Sequence, residues 1–150
     1  MPKTILSIDC GTQSLRAILF SLKGEILAIE KIPFEPYNSP KPGWAEQNAE
    51  VYWDTLKKAC LNLKASNPEY FKSIAGVGVT TLRDTMVNVD INGNPLRPVM
   101  VWLDQRKSIP VYKPWWGMKF IIWVVGMKDS VQKAQREGKS NWIKQNQPDI

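Results

Sequence analysis

The sequence predicts an α/β fold, a layer of strands with helices packed against it. Three observations carry that expectation. "TILSID" and "LRAILFS" are short apolar segments rich in β-branched residues, separated only by "CGTQS". Between Asn48 and Asn67, apolar residues recur at three- and four-residue spacing. Beyond Ser73, strand-like runs return. Strands, then helix, then strands again describe a sheet covered by helices rather than an all-β barrel.

In chain order, the two opening segments and "EILAIEKIPF" after Lys23-Gly24 predict three strands joined by tight turns. Pro36, Pro40, Pro42 and Gly43 then remove backbone donors and fix a loop up to Asn48. Asn48 is placed to cap a helix whose stripe is Trp53, Leu56, Cys60 and Leu63, and Asn67-Pro68 ends it. "SIAGVGVTT" predicts a buried strand in which Gly76 and Gly78 permit close backbone approach. "TMVNVD" predicts another strand with a turn at Asn92-Gly93, and "PVMVWLDQR" a last one with polar residues at its exit. Further on, helices are expected around Asp129 to Glu137 and from near Ser140, and residues 141–150 look interrupted.

With 150 residues, 43% of them hydrophobic, the chain suits one domain or part of one. Its net charge of +6 is uneven, since Lys107 to Ile150 holds eight Lys/Arg against three Asp/Glu. Two cysteines, Cys10 and Cys60, form neither a disulfide framework nor a zinc site, which fits a reducing cytoplasm. "FIIWVVGM" falls far short of the roughly 20 residues that span a bilayer, so a soluble protein with no membrane partner is expected. The absence of histidine excludes histidine triads and histidine-held metals, leaving acid-base chemistry to carboxylate, lysine, tyrosine or cysteine.

Three places could carry chemistry. An acid at a strand end, followed by a small turn, lets backbone N–H groups and hydroxyls face a phosphate while the carboxylate holds a hydrated divalent cation. Asp9, Gly11, Thr12, Gln13 and Ser14 fit that work, and Arg16 could neutralise a transferring phosphoryl group, although an ordinary hairpin turn would use the same residue types. Arg83 and Asp84 lie side by side where one strand ends and another starts, so they could grip neighbouring hydroxyls of a sugar or polyol, or form a surface ion pair. Trp102 offers a face for the C–H side of a sugar and Asp104 an acceptor for a hydroxyl, with Arg106 close by; Trp102 could equally fill a core.

Together, "IDCGTQSLRAILF…KGEIL", "PGWAEQNAEVYWDTL", "IAGVGVTTLRDTMVNVDINGNPLRPVMVWLDQR" and "NWIKQNQPDI" follow one another in the order and spacing of one family. The chain resembles the N-terminal part of an FGGY-family carbohydrate kinase. The likeness covers residues 4–106 and resumes near Asn141, while residues 108–139 follow the family pattern poorly.

That resemblance implies an actin-like, ribonuclease-H-like domain, a mixed sheet with flanking helices, that holds the sugar and faces a second domain holding most of the nucleotide. ATP and Mg²⁺ would phosphorylate a hydroxyl of a sugar or polyol. Asp9 would help hold the metal, Gly11 to Ser14 would line the phosphate loop, and Arg16 would reach the transferred phosphate, which makes Asp9 and Arg16 the catalytic residues of this chain. Arg83 and Asp84 fall where the family's glycerol kinases carry an Arg-Glu pair and its xylulose kinases Met-His, and Leu82 replaces a glutamine. Trp102 matches a substrate-packing tryptophan, and Asp104 and Arg106 the tail of a W-x-D-x-R pattern. The family's general base and adenosine pocket lie beyond residue 150. Residues 1–150 are therefore expected to be an incomplete sugar-binding domain, inactive without the missing C-terminal kinase domain.

Two other function classes compete. The basic, Trp-rich C-terminal third could make the chain a non-catalytic module for nucleic acid or an acidic partner, although Lys and Arg are usually solvated surface, which makes nucleic acid the weaker choice. A ribonuclease-H-type nuclease would need clustered carboxylates, and Asp9 has only Asp84 and Asp104 for company. An uncovered apolar face around "KFIIWVVGM" also predicts a homo-oligomer.

Overall fold

Alternation builds the first strands of the computed structural model, which describes residues 2–150. β1 (Thr4–Cys10) buries Thr4, Leu6 and Ile8, and β2 (Ser14–Ser21) buries Leu15, Ala17 and Leu19, so a period of two gives each strand one inward face. β3 (Ile26–Pro33) follows a turn at Gly24, whose φ of +85° is left-handed backbone that favours glycine. After the short β4 (Glu46–Gln47) comes α1 (Ala49–Ser66). Asn48 caps it by accepting the Glu50 N–H at 3.1 Å, and Pro68 opens α2 (Pro68–Lys72) directly after the Asn67 cap.

β5 (Ile74–Thr80) returns parallel to β1, while β1, β2 and β3 pair antiparallel, giving a mixed sheet in the order β3-β2-β1-β5. α1 packs on β2 and β3, and its Ala59 and Leu63 close a core with Leu6, Ile8, Leu15, Ala17 and Leu19. Each large aliphatic side chain buried there contributes roughly 1.5–3 kcal/mol. β4 pairs with β6 (Val99–Met100) in a second, two-stranded sheet around Ala45, Val99 and Val101. The chain continues through α3 (Trp116–Val124), α4 (Lys128–Glu137) and α5 (Lys139–Asn146). Among the described residues, no helix is long and apolar enough to cross a membrane.

Several elements differ from expectation. Leu56, Cys60 and Leu63 of α1 face the core, but Trp53 lies exposed about a quarter-turn from the stripe's centre, and Thr55 and Ala59 take the buried places. β5 is an outer strand whose Val77 and Val79 meet solvent. A Cβ added at Gly78 would touch nothing within 4 Å, and one at Gly76 would make an ordinary 3.5 Å contact with Ile5, so no close approach explains these glycines. "TMVNVD" forms only isolated bridges, Met86 with Met100 and Val89 with Pro95, because the chain turns back at once. Asp90 fixes that turn by accepting the N–H groups of Asn92 and Asn94, both at 2.8 Å. The run at Val99 ends after two residues, and α3 forms where no element was predicted.

Candidate active site

Asp9 stands at the exit of the sheet's central pairing, with β2 on one side and β5 on the other. Register places Arg16 directly across the hairpin and Thr80 directly across the parallel pair. Both neighbours bind it. Arg16 Nη1 donates to Asp9 Oδ2 at 2.6 Å and Thr80 Oγ1 donates to Asp9 Oδ1 at 3.0 Å. Because Leu6 and Ile8 alternate inward, Asp9 and Arg16 lie on the face away from α1, half-open to solvent at 42% and 38% side-chain exposure.

The turn after Asp9 is tight, since Gly11 donates its N–H to the Ser14 carbonyl at 3.0 Å and a Cβ on Gly11 would press on that oxygen. Gln13 is exposed and its carbonyl accepts the Phe34 N–H at 3.0 Å, while Ser14 is buried as the first residue of β2. Thr12 reaches elsewhere. Its Oγ1 accepts the Trp102 indole N–H at 3.0 Å, tying the turn to the loop after β6.

Trp102 and Asp84 line a cavity of about 750 Å³, whose far wall is Glu137, Lys139 and Ser140 at the junction of α4 and α5. Asp84 adopts φ +52°, the left-handed region that a short polar side chain tolerates, in the turn after β5. Arg83 is exposed outside the lining, and among the described residues it forms no ion pair, so the surface pair with Asp84 is not made.

Asp104 requires a correction. Its side chain is 0% exposed, and its carboxylate already accepts the Ala45 N–H at 2.9 Å and a fork from Arg106 Nε and Nη2 at 2.7–3.0 Å. The Arg106 main-chain N–H donates to it as well, at 3.1 Å, which leaves no lone pair for a hydroxyl. Burial alone would raise the Asp104 carboxyl, but the Arg106 and Ala45 hydrogen bonds outweigh it and hold the group below the usual carboxylate range.

Residues 4–150 match the FGGY family of carbohydrate kinases, N-terminal domain. The chain belongs to that family. A glycerol kinase of Nitrosomonas eutropha is 40% identical over 106 residues, covering 70% of this chain and 21% of that protein. The chain thus spans about a fifth of the length of the curated relatives it matches. Among solved structures, a xylulose kinase from Rhodospirillum rubrum superposes over 98% of this chain and 30% of its own, with a TM-score of 0.72 at 25% identity. A Plasmodium falciparum glycerol kinase with ADP covers 89% of this chain and 30% of its own, with a TM-score of 0.61 at 21% identity. The actin-like α/β fold follows.

In this FGGY domain the sequence hides a buried charge cluster. Glu46 accepts from Arg97 Nη2 at 2.9 Å and forms an ion pair with Arg106 Nη2 at 2.9 Å, while the Arg106 guanidinium lies 4.0 Å from the Trp44 ring centre and 4.5 Å from that of Trp142. Burial lowers the Arg97 pKa, and the like charge of Arg106 adds to that effect. Only the Asp104-Arg106 spacing hints at the cluster in the sequence, because Trp44, Glu46, Arg97 and Trp142 arrive from distant segments. The cluster anchors α5, and with it the far wall of the cavity. Behind the Asp9 turn, burial and then the charge of Asp9 push the Cys10 thiol up. Tyr52 beside it is pushed up to about 12 by burial and then by Cys10, and its hydroxyl is buried with no partner.

Proposed function

We propose that these residues form the substrate-facing part of an ATP-dependent kinase that phosphorylates a hydroxyl of a sugar or polyol. The Trp102–Thr12 hydrogen bond carries this proposal, because phosphoryl transfer needs acceptor and donor held side by side and this bond joins cavity wall to turn. Asp84 would accept a bond from one substrate hydroxyl and Arg83, turning inward, would donate to its neighbour. Trp102 would lie against a C–H face. Thr12 and Gln13 would meet the phosphates with their side chains and Gly11 with its open backbone, while the buried Ser14 would act by holding the turn. Arg16 would neutralise charge on the phosphoryl group in transit.

Asp9 fits a Mg²⁺ ion in a limited way. A single half-exposed carboxylate suits an ion that keeps its waters and takes other oxygens from phosphate, and among the described residues no cluster of three or more potential ligands offers a protein cage. Bound there, the ion would supply electrostatic screening of the phosphate oxygens. Asp104 has no place in this substrate set; it positions Arg106.

We assign the general base and the adenosine pocket to a second kinase domain outside residues 1–150, in keeping with the fifth of the relatives' length that the chain spans. Free thiols at Cys10 and Cys60 and dependence on ATP support a cytoplasmic setting. The test is a titration of glycerol, other polyols and ketoses followed by tryptophan emission. A saturable change that Trp102→Phe removes and Arg83→Ala weakens at least tenfold is expected. Failure of every sugar to move the emission would sink the substrate assignment. A coupled ADP assay on the chain alone should show no turnover, and a rate above about 1 per second would overturn the assignment of the base to a second domain.

A further inference from the structure

The Asp9 carboxylate stands between two strands, and each strand holds one of its oxygens. Arg16 of β2 donates to Oδ2, and Thr80, the last residue of β5, donates its hydroxyl to Oδ1 at 3.0 Å. Register makes the second contact, because Asp9 and Thr80 are partners in the parallel pair. A hydroxyl has one proton to give. The other acceptor in reach, the Ile8 carbonyl, lies at 3.4 Å, so the proton goes to Asp9. Threonine is also stiff at χ1, since its Cβ is branched. Two donors on opposite oxygens thus fix the plane of a carboxylate that, at 42% exposure, would otherwise turn in the solvent. Each oxygen keeps a further lone pair, aimed in a set direction.

We propose that Thr80 is a positioning residue of the phosphate side, holding the Asp9 carboxylate in the orientation from which it meets a divalent cation. This rests on the reading of Asp9 as the cation's ligand in this chain. Mg²⁺ demands near-ideal octahedral geometry, so a lone carboxylate serves it best when its direction is set in advance. Groups that hydrogen-bond a ligating carboxylate are typically worth about 10–100-fold in metal affinity or activity. The contact lies between adjacent strands of one sheet, so this chain forms it whatever the rest of the kinase adds. Thr80 also leads straight into the turn that carries Arg83 and Asp84, which joins the metal side of the site to the sugar side through one stretch of backbone.

The test is binding of Mn²⁺-pyrophosphate to the full chain, read from the relaxation rate of water protons. This probe brings the phosphate oxygens that the ion would share and needs no adenosine pocket. Asp9→Asn should abolish saturable binding. Thr80→Val, which keeps the branched shape and loses the hydroxyl, and Thr80→Ala should each weaken it at least tenfold, while Thr80→Ser should stay within about threefold of the parent. Thermal unfolding of the Val and Ser variants should match the parent. Loss of binding in Asp9→Asn with Thr80→Val within about threefold of the parent overturns the role of Thr80 and leaves the metal assignment standing. Binding that Asp9→Asn does not disturb, or no binding by the parent, sinks the metal assignment and this proposal with it. Failure of Thr80→Ser to restore binding, or a loss that follows a lowered unfolding midpoint, would make Thr80 a support of the strand and overturns the proposal too.

Discussion

Arg106→Ala should be among the most damaging single substitutions in the chain, and by a predictable amount. The guanidinium is 4% exposed and Asp104 is 0% exposed, so removing the cation strands the Asp104 carboxylate where water cannot solvate it and leaves Glu46 with Arg97 alone. Breaking a buried pair in this way typically costs 3–5 kcal/mol. The slot left between Trp44 and Trp142 loses cation–π contact as well, for which about 0.5–2 kcal/mol is usual and partly overlaps the first figure. Arg16→Ala is the built-in comparison. Its pair with Asp9 is shorter at 2.6 Å, yet both side chains are more than a third exposed, so the expected loss is at most about 1 kcal/mol. Urea unfolding of the parent and both variants measures the two losses on one scale. The acid limb gives a second reading. Asp104 titrates lower in the folded chain than unfolded, so its contribution is fully present above the unfolded value near 3.9 and is lost as pH falls through the folded value. The gap between parent and Asp104→Asn should therefore be widest above about pH 4 and narrow below it. An Arg106→Ala loss under about 1 kcal/mol, or one equal to that of Arg16→Ala, would refute the reasoning.

Tyr52→Phe should leave stability unchanged or raise it by up to roughly 1–2 kcal/mol, because it deletes a buried hydroxyl that has no partner; thermal unfolding checks this, and a clear loss would reveal a hidden partner. In the whole kinase to which we assign the chain, Arg83→Ala should raise KM for the sugar at least tenfold, while Asp9→Asn should depress kcat far more than sugar affinity. Steady-state kinetics separates the two, and an Arg83→Ala enzyme within about twofold in kcat/KM for every sugar would remove Arg83 from the substrate site.

The parts of the fold governed by neighbours in sequence were legible. Alternation in "TILSID" and "LRAILFS", the Asn48 cap and the Asn67-Pro68 stop each act within a few residues, and each formed as expected. Position within a sheet is a different matter. "IAGVGVT" has the composition of a buried strand, and nothing local says that it stands at the edge. Trp53 misled for a related reason, since its large apolar side chain suggested the core while Thr55 and the small Ala59 took the close-packed places. In the site, the Asp9 turn and the Asp84–Trp102 side of the cavity were readable as residue types at strand ends. The Asp9–Arg16 pair was not, because it depends on hairpin register, and Asp104 was misassigned because its partners Ala45 and Glu46-linked Arg106 close on it only in three dimensions.

The two outer strands of the main sheet are unlike. β3 carries Glu30, Lys31 and Pro33, whose charges and missing donor discourage another strand from aligning with it. β5 presents glycines, valines and an open row of main-chain donors and acceptors, with no charge along Ile74–Thr80. Growth of the sheet is therefore polar: it is open at one margin and blocked at the other. A strand added beside β5 gains a full ladder whatever its side chains, so this is the margin at which the sheet can be extended and β3 the one at which it cannot.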